Sequence, residues 1–194
     1  MFLTTVLATS FFVKSSKASS ATIFVNPSTN DVALGDNFTV DIDLDFAENL
    51  YCYEIWLSFN NTVLNATTIE YRDYLNEPHF IWYQHVNNTG GYVTLSVSST
   101  YPAAPKTGGS PPPLATINFT ATRVAMSQPH LYNTVLADNQ SMTIPHENSD
   151  STCDVIPEFP PSTILPIFAV LTSFVAIIVK KKVHKRSRSS GKES

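Results

Sequence analysis

Residues 38–46, FTVDIDLDF, constrain the fold of this chain more than any other stretch. Phe38, Val40, Ile42, Leu44 and Phe46 alternate with Thr39, Asp41, Asp43 and Asp45. In an extended chain successive side chains point to opposite faces, so this pattern predicts a strand with one buried face and one wet face. Similar period-two runs recur at 22–25, 51–60, 65–71, 80–86, 92–99, 114–123 and around 133–144. No long helical stripe interrupts them between residues 21 and 147. Eight or nine such strands cannot bury their apolar faces in a single open layer, and the expected fold class is an all-β sandwich.

The connections agree with that reading. Asn87-Asn88-Thr89-Gly90-Gly91 is a hairpin-type turn, and residues 33–37 lead into the 38–46 strand. The stretch YPAAPKTGGSPPP at 101–113 is too rich in Pro and Gly for regular pairing and is expected to be a loop. Residues 148–163 are too polar and proline-rich to bury a core and are expected to form a stalk. The domain proper is therefore expected at 21–147.

Charge is strongly segregated along the chain. Between residues 21 and 163 there are three basic residues, Arg72, Lys106 and Arg123, against fifteen acidic ones. A body this acidic has nothing to set against phosphates, which excludes nucleic acid as its partner. Most of the remaining bases follow the apolar run ILPIFAVLTSFVAIIV at 164–179, in the tail KKKVHKRSR. With the residues before it, this run approaches the roughly 20 needed to cross a bilayer. Retention of Lys and Arg on the cytoplasmic side then predicts a single-pass plasma-membrane anchor at 164–179, a cytoplasmic tail at 180–194 and an extracellular domain. At the other end, residues 1–20 resemble a secretory signal, with an apolar stretch and small residues at Ala18 and Ser20. Lys14 and Lys17 lie on the wrong side of that stretch, which suggests a true start further upstream.

An exterior domain has specific chemical consequences. Six N-x-S/T sequons, at Asn37, Asn60, Asn65, Asn87, Asn118 and Asn139, all fall within the domain and are candidate glycosylation sites. Cys52 and Cys153 either pair across a loop of about 100 residues or remain as two separate thiols. Asp41, Asp43 and Asp45 superficially suggest a calcium ladder. Same-face side chains on a strand stand about 7 Å apart, however, and cannot close on one ion. Solvated edge charge that resists strand addition accounts for them better. His79, His85, His130 and His146 show no HxxxH or HExxH spacing, and no nucleophile motif is present. Neither catalysis nor a cofactor or metal is expected.

Four segments, in order, resemble the cohesin domain, a jelly-roll sandwich related to carbohydrate-binding modules. They are GDNFTVDIDLDFAENLYCYEIWLSFNNTVLNA, GGYVTLSVSST, PLATINFTATRVA and NTVLADNQSMTIPHE, and the match covers most of residues 22–147. The sequence departs from the family at Pro111-Pro112-Pro113, where a Gly-containing lead is usual, and at Asn60-Asn61, where an Asp is common. The tail resembles a second pattern. Pro157-Glu158-Phe159-Pro160, the apolar span and the basic end look like the C-terminal sorting signal of PEF type found on archaeal surface proteins, although a plain anchor explains the same residues.

The resemblance implies a binding module that engages a dockerin-type protein or a polysaccharide through one sheet face, with strands 51–60, 80–86 and 92–99 forming that face. If Tyr53, Ile55, Leu57 and Phe59 point inward, alternation leaves Glu54, Trp56 and Ser58 outward, with Thr94, Ser96 and Ser98 beside them. Trp56 and Trp82 are the aromatic candidates for stacking or anchoring. Alternatively, Trp56 packs beneath residues 80–83. The other functional reading is a glycosylated structural component of the envelope with no discrete ligand.

Overall fold

The computed structural model describes residues 20–158 and residue 170. The signal-like segment at 1–19, Phe159 and Pro160 of the tail motif, the rest of the apolar span and the basic tail lie outside the described residues. Among the described residues no helix is long and apolar enough to cross a membrane.

The alternating runs form an all-β sandwich of thirteen strands. In chain order these are β1 (Ala21–Asn26), β2 (Thr29–Ala33), β3 (Asn37–Leu44), β4 (Ala47–Ser58), β5 (Leu64–Tyr71), β6 (His79–Asn87) and β7 (Tyr92–Ser99). They continue with β8 (Lys106–Gly108), β9 (Ala115–Ala121), β10 (Met126–Ser127), β11 (His130–Asp138), β12 (His146–Ser149) and β13 (Thr152–Ile156). One sheet runs β12-β1-β3-β9-β5 and the other β11-β4-β7-β6, with β8 also paired to β4. A small third sheet, β10-β13-β2, lies beside them.

The two large sheets close on each other because their inward residues are apolar at every second position. Val40, Ile42, Ile117 and Phe119 of the first sheet share one core with Tyr53, Ile55, Leu57, Val93, Leu95 and Val97 of the second. Each such side chain contributes about 1.5–3 kcal/mol on burial. Tyr53 carries the one hydroxyl among these ten, and it donates to the carbonyl of Leu114 at 2.6 Å. Burial pushes its phenol well above the usual tyrosine range, with a smaller contribution from Tyr71. The 87–91 turn forms as expected. Gly91 has φ +67° there, and a Cβ would stand 2.7 Å from the Phe59 carbonyl oxygen.

The structure corrects several expectations. The stalk does not begin at residue 148, because β12 and β13 belong to the domain and Cys153 and Val155 are buried in its core. β13 pairs in parallel with β2, from Thr152 opposite Thr29 to Ile156 opposite Ala33. Both strands are short and polar on alternate positions, so neither declares itself without its distant partner. The Pro-rich 101–113 segment is also partly paired. It contains β8, and beyond it Ser110 N and Leu114 N donate to Leu44 O and Ile42 O. Its Gly109 passes so close to Asp45 that a Cβ would lie 1.9 Å from that residue's carbonyl oxygen.

The strand expected at 133–144 instead spans His130–Asp138, and its register slips between Tyr132 and Val135. Asp41 and Asp43 are not edge charges, since β3 sits between β1 and β9, and Asp45 lies just past the end of that strand. Asp41 accepts from Thr116 Oγ1, the buried Asp43 accepts from Asn26 Nδ2, and Asp45 accepts from the amide of Thr22. β3 ends at Leu44, which leaves Phe46 outside the inward row and exposed.

Candidate functional site

The outer face of the β11-β4-β7-β6 sheet is the opposite of what alternation usually leaves to solvent. Inward burial of Tyr53, Ile55 and Leu57 turns Cys52, Glu54, Trp56 and Ser58 of β4 outward. The registers then place Ser98, Ser96, Thr94 and Tyr92 of β7 opposite them on one side, and Ala137, Val135, Tyr132 and His130 of β11 on the other. Beyond β7, the edge strand β6 adds Phe80, Tyr83 and His85, opposite Ser98, Ser96 and Thr94.

The aromatic rings form two groups. Trp56 is half-buried between Tyr92 and Tyr132, with ring centroids 5.5 and 5.9 Å away, and its indole N–H donates to the Glu54 carboxylate. His130 stacks on Tyr132, and its Nδ1 lies 2.6 Å from Asp150 Oδ2. The alternative in which Trp56 packs beneath residues 80–83 is therefore not what occurs.

The second group stands free. A register shift between Ile81 and Tyr83 swings Trp82 out of the regular alternation. Its side chain meets Phe80 edge-on, 5.0 Å between centroids, and is 67% exposed. Phe80 and Tyr83 are exposed beside it. Between Trp82 and β4 lies a hollow of about 210 Å³ lined by Cys52, Glu54, Ser96, Ser98 and Val135. That is smaller than the roughly 300 Å³ at which small-molecule pockets begin. It has room for one side chain or one sugar ring on an otherwise open face.

Of the candidates read from the sequence, Glu54, Trp56, Ser58, Trp82, Thr94 and Ser96 all belong to this face, with different exposures. Thr94 is fully buried beneath its neighbours, and its hydroxyl has no hydrogen-bond partner, so it is not a contact residue. Tyr83, Tyr92, Tyr132, His130 and Val135 complete the face and were not candidates, because only strand register brings them beside Trp56 and Trp82. Cys52 and Cys153 are both free thiols, one on this face and one buried in the core from β13, so the disulfide is not formed. Burial raises the Cys52 thiol, helped by Asp138, and burial with Asp154 and Asp31 pushes Cys153 up to about 11.

The opposite face of the sandwich is hydroxyl- and amide-rich. There Thr120 donates to Asn37 Oδ1, and Asn118 Nδ2 donates to Thr68 Oγ1. Three sequon asparagines, Asn37, Asn65 and Asn118, share this face through the registers of β3, β9 and β5. Asn60, Asn87 and Asn139 lie at strand ends and turns instead.

Comparison with known proteins separates sequence from fold. No family model matches the chain, and no curated protein matches its sequence. Solved structures do match. A non-cellulosomal cohesin from the archaeon Archaeoglobus fulgidus superposes with a TM-score of 0.57 at 14% identity, over 71% of this chain and 92% of that one. The chain has the cohesin fold. A type I cohesin–dockerin complex from Clostridium thermocellum gives 0.61 at 7% identity, covering 72% and 95%. A cohesin of Clostridium acetobutylicum gives 0.58 at 14% identity, covering 70% and 90%. This cohesin-like sandwich thus keeps the architecture while sharing almost none of the side chains.

Proposed function

We propose that the chain is a surface-displayed binding module of cohesin type that holds a protein partner against the β11-β4-β7-β6 face. The observation that carries this reading is the exposed trio Phe80, Trp82 and Tyr83, set over a side-chain-sized hollow. Large rings held on a rigid strand offer contact area at little entropic cost, which is why such residues dominate interface energetics. Two structural neighbours of this fold, both from Clostridium thermocellum, are complexes with dockerins, which supports a protein of that type as the partner.

A polysaccharide is the second reading, favoured by one specific feature. The hollow sets the Trp82 ring beside Ser96, Ser98 and Glu54, an aromatic wall with hydroxyl and carboxylate partners. The apolar run at 164–179 with its basic tail would hold the domain on the outer side of the plasma membrane, and residues 157–160 would serve as a sorting motif. Sequon glycans, where used, would lie on the opposite face at Asn37, Asn65 and Asn118, and at strand ends and turns at Asn60, Asn87 and Asn139. If the glycosylated face were the only functional one, the domain would be an envelope component without a discrete ligand.

The test is retention of dockerin modules and of cell-envelope polysaccharides by the full chain immobilised in detergent. Trp82→Ala is expected to weaken retention by about 2 kcal/mol or more, roughly thirtyfold, while thermal stability stays unchanged. Retention of a dockerin lost in this variant supports the protein reading, and loss of a polysaccharide supports the glycan reading. Retention unaffected by Trp82→Ala removes this face from consideration.

A further inference from the structure

Outside the aromatic face, one group of side chains has donor chemistry that the fold does not use. Asp73 and Glu77 lie on the segment that joins β5 to β6, His79 is the first residue of β6, and each offers a ligand atom within 4.8 Å of the other two. Glu77 Oε1 is 3.0 Å from His79 Nδ1, and Asp73 Oδ1 is 3.9 Å from His79 Nε2.

The backbone beneath these residues is fixed. Tyr74 and Leu75, between the two carboxylates, are buried in the core. The Tyr74 hydroxyl donates to Gly108 O at 2.9 Å, and the Leu75 amide donates to the Tyr71 hydroxyl at 2.8 Å. Asn76 Nδ2 donates to Ala104 O at 2.9 Å. Asp73, at φ +52°, turns the chain between these anchors.

The histidine itself is incompletely satisfied. Its side chain is only 12% exposed, and its ring meets Tyr71 edge-on at 4.5 Å. Nδ1 is sealed from solvent yet makes no hydrogen bond, since Glu77 lies near it but off the line such a bond requires. A buried imidazole nitrogen without a partner is costly. No lysine or arginine among the described residues pairs with either carboxylate. Arg72 is taken by Glu70, and Lys106 sits over the Tyr74 ring. The field of both carboxylates is felt by Tyr71, where it adds to burial in pushing the phenol up to about 12.

We propose that Asp73, Glu77 and His79 form a binding site for a divalent transition-metal ion of the zinc class. Two carboxylate oxygens and one imidazole nitrogen are a borderline-hard donor set, which suits zinc or manganese better than calcium. Bonds near 2.1 Å place tetrahedral ligands about 3.4 Å apart, so the donors must draw in slightly. The carboxylates are exposed and free to do so, while the imidazole is held. Three protein donors leave one position for water or for a donor from a partner. His79 opens β6 opposite Ser99, so the ion would pin the β5–β6 segment at the end of the strand that carries Trp82.

The test uses the full chain, stripped by chelator and titrated with Zn²⁺ alone by calorimetry at neutral pH, with Ca²⁺ as the contrasting probe. One equivalent of zinc is expected, with Ca²⁺ bound far more weakly. His79→Gln and Asp73→Asn should each weaken zinc binding at least tenfold. Asp73 is exposed, so Asp73→Asn should leave the metal-free melting temperature unchanged and serves as the variant free of packing effects. The His79 imidazole resonances should shift on zinc addition, and binding should weaken as pH falls, because protons compete with the ion for its ligands. No uptake, or uptake that survives both substitutions on the other histidines, overturns the site. So does zinc uptake that leaves the His79 resonances where they were.

Discussion

At the scale of single residues, two tryptophans on one sheet face have different duties. Trp56 is wedged between Tyr92 and Tyr132 with its N–H committed to Glu54, so it acts mainly as packing for the outer layer. Trp56→Ala is expected to cost about 2 kcal/mol of stability, read as a lowered melting temperature, because it removes half-buried ring contacts and strands the Glu54 carboxylate. Trp82→Ala should leave that temperature unmoved. The buried phenols make a second prediction. Tyr71 and Tyr74 are both pushed up to about 12, Tyr71 mainly by burial and Tyr74 by burial alone. In the unfolded chain they ionise near 10, so the unfolded state releases protons first and stability falls as pH rises from about 10 to 12. Tyrosinate absorbance should therefore appear for these residues together with unfolding, and Tyr71→Phe should soften the alkaline transition. Simple titration of all eight tyrosines near pH 10 with the fold intact would contradict the buried geometry.

At the scale of elements, the strands with long alternating runs are legible, and the short ones are not. β3, β7 and β9, and β4 from Tyr51 onward, carry apolar residues at alternate positions, and their inward faces follow directly from it. β13 shows only Cys153 and Val155, too little to distinguish a strand from a polar connector. Its role comes from pairing with β2 and β10, which are remote in sequence. A chain cut after residue 147 should consequently lose roughly 3–5 kcal/mol from the burial of those two side chains, whereas a chain cut after residue 158 should keep native stability. Denaturant midpoints of the two truncations measure the difference. Equal midpoints would mean that β13 is an appendage after all.

At the scale of the whole molecule, the sandwich presents two chemically different faces. One is aromatic around Trp56 and Trp82, and the other is an amide and hydroxyl lattice that includes Asn37, Asn65 and Asn118. Replacing these three asparagines with glutamine is expected to reduce the intact mass wherever a glycan is carried and to leave partner retention unchanged. Loss of retention in that variant would transfer the binding role to the lattice face.

The amino-acid sequence by itself determined the all-β class, the inward rows of the long strands, the acidic body and the outward direction of Glu54, Trp56 and Ser58. Each of these depends on residue type and on a spacing of two along a single strand, which the extended backbone converts directly into a face. Tertiary structure alone decided that Tyr92 and Tyr132 flank Trp56, that a register shift frees Trp82, that Thr94 is covered, that Asp43 is buried in a central strand, and that the two cysteines stay apart. Those outcomes depend on which strands become neighbours and in what register. Register is set by the packing of the whole core, and no local pattern records it.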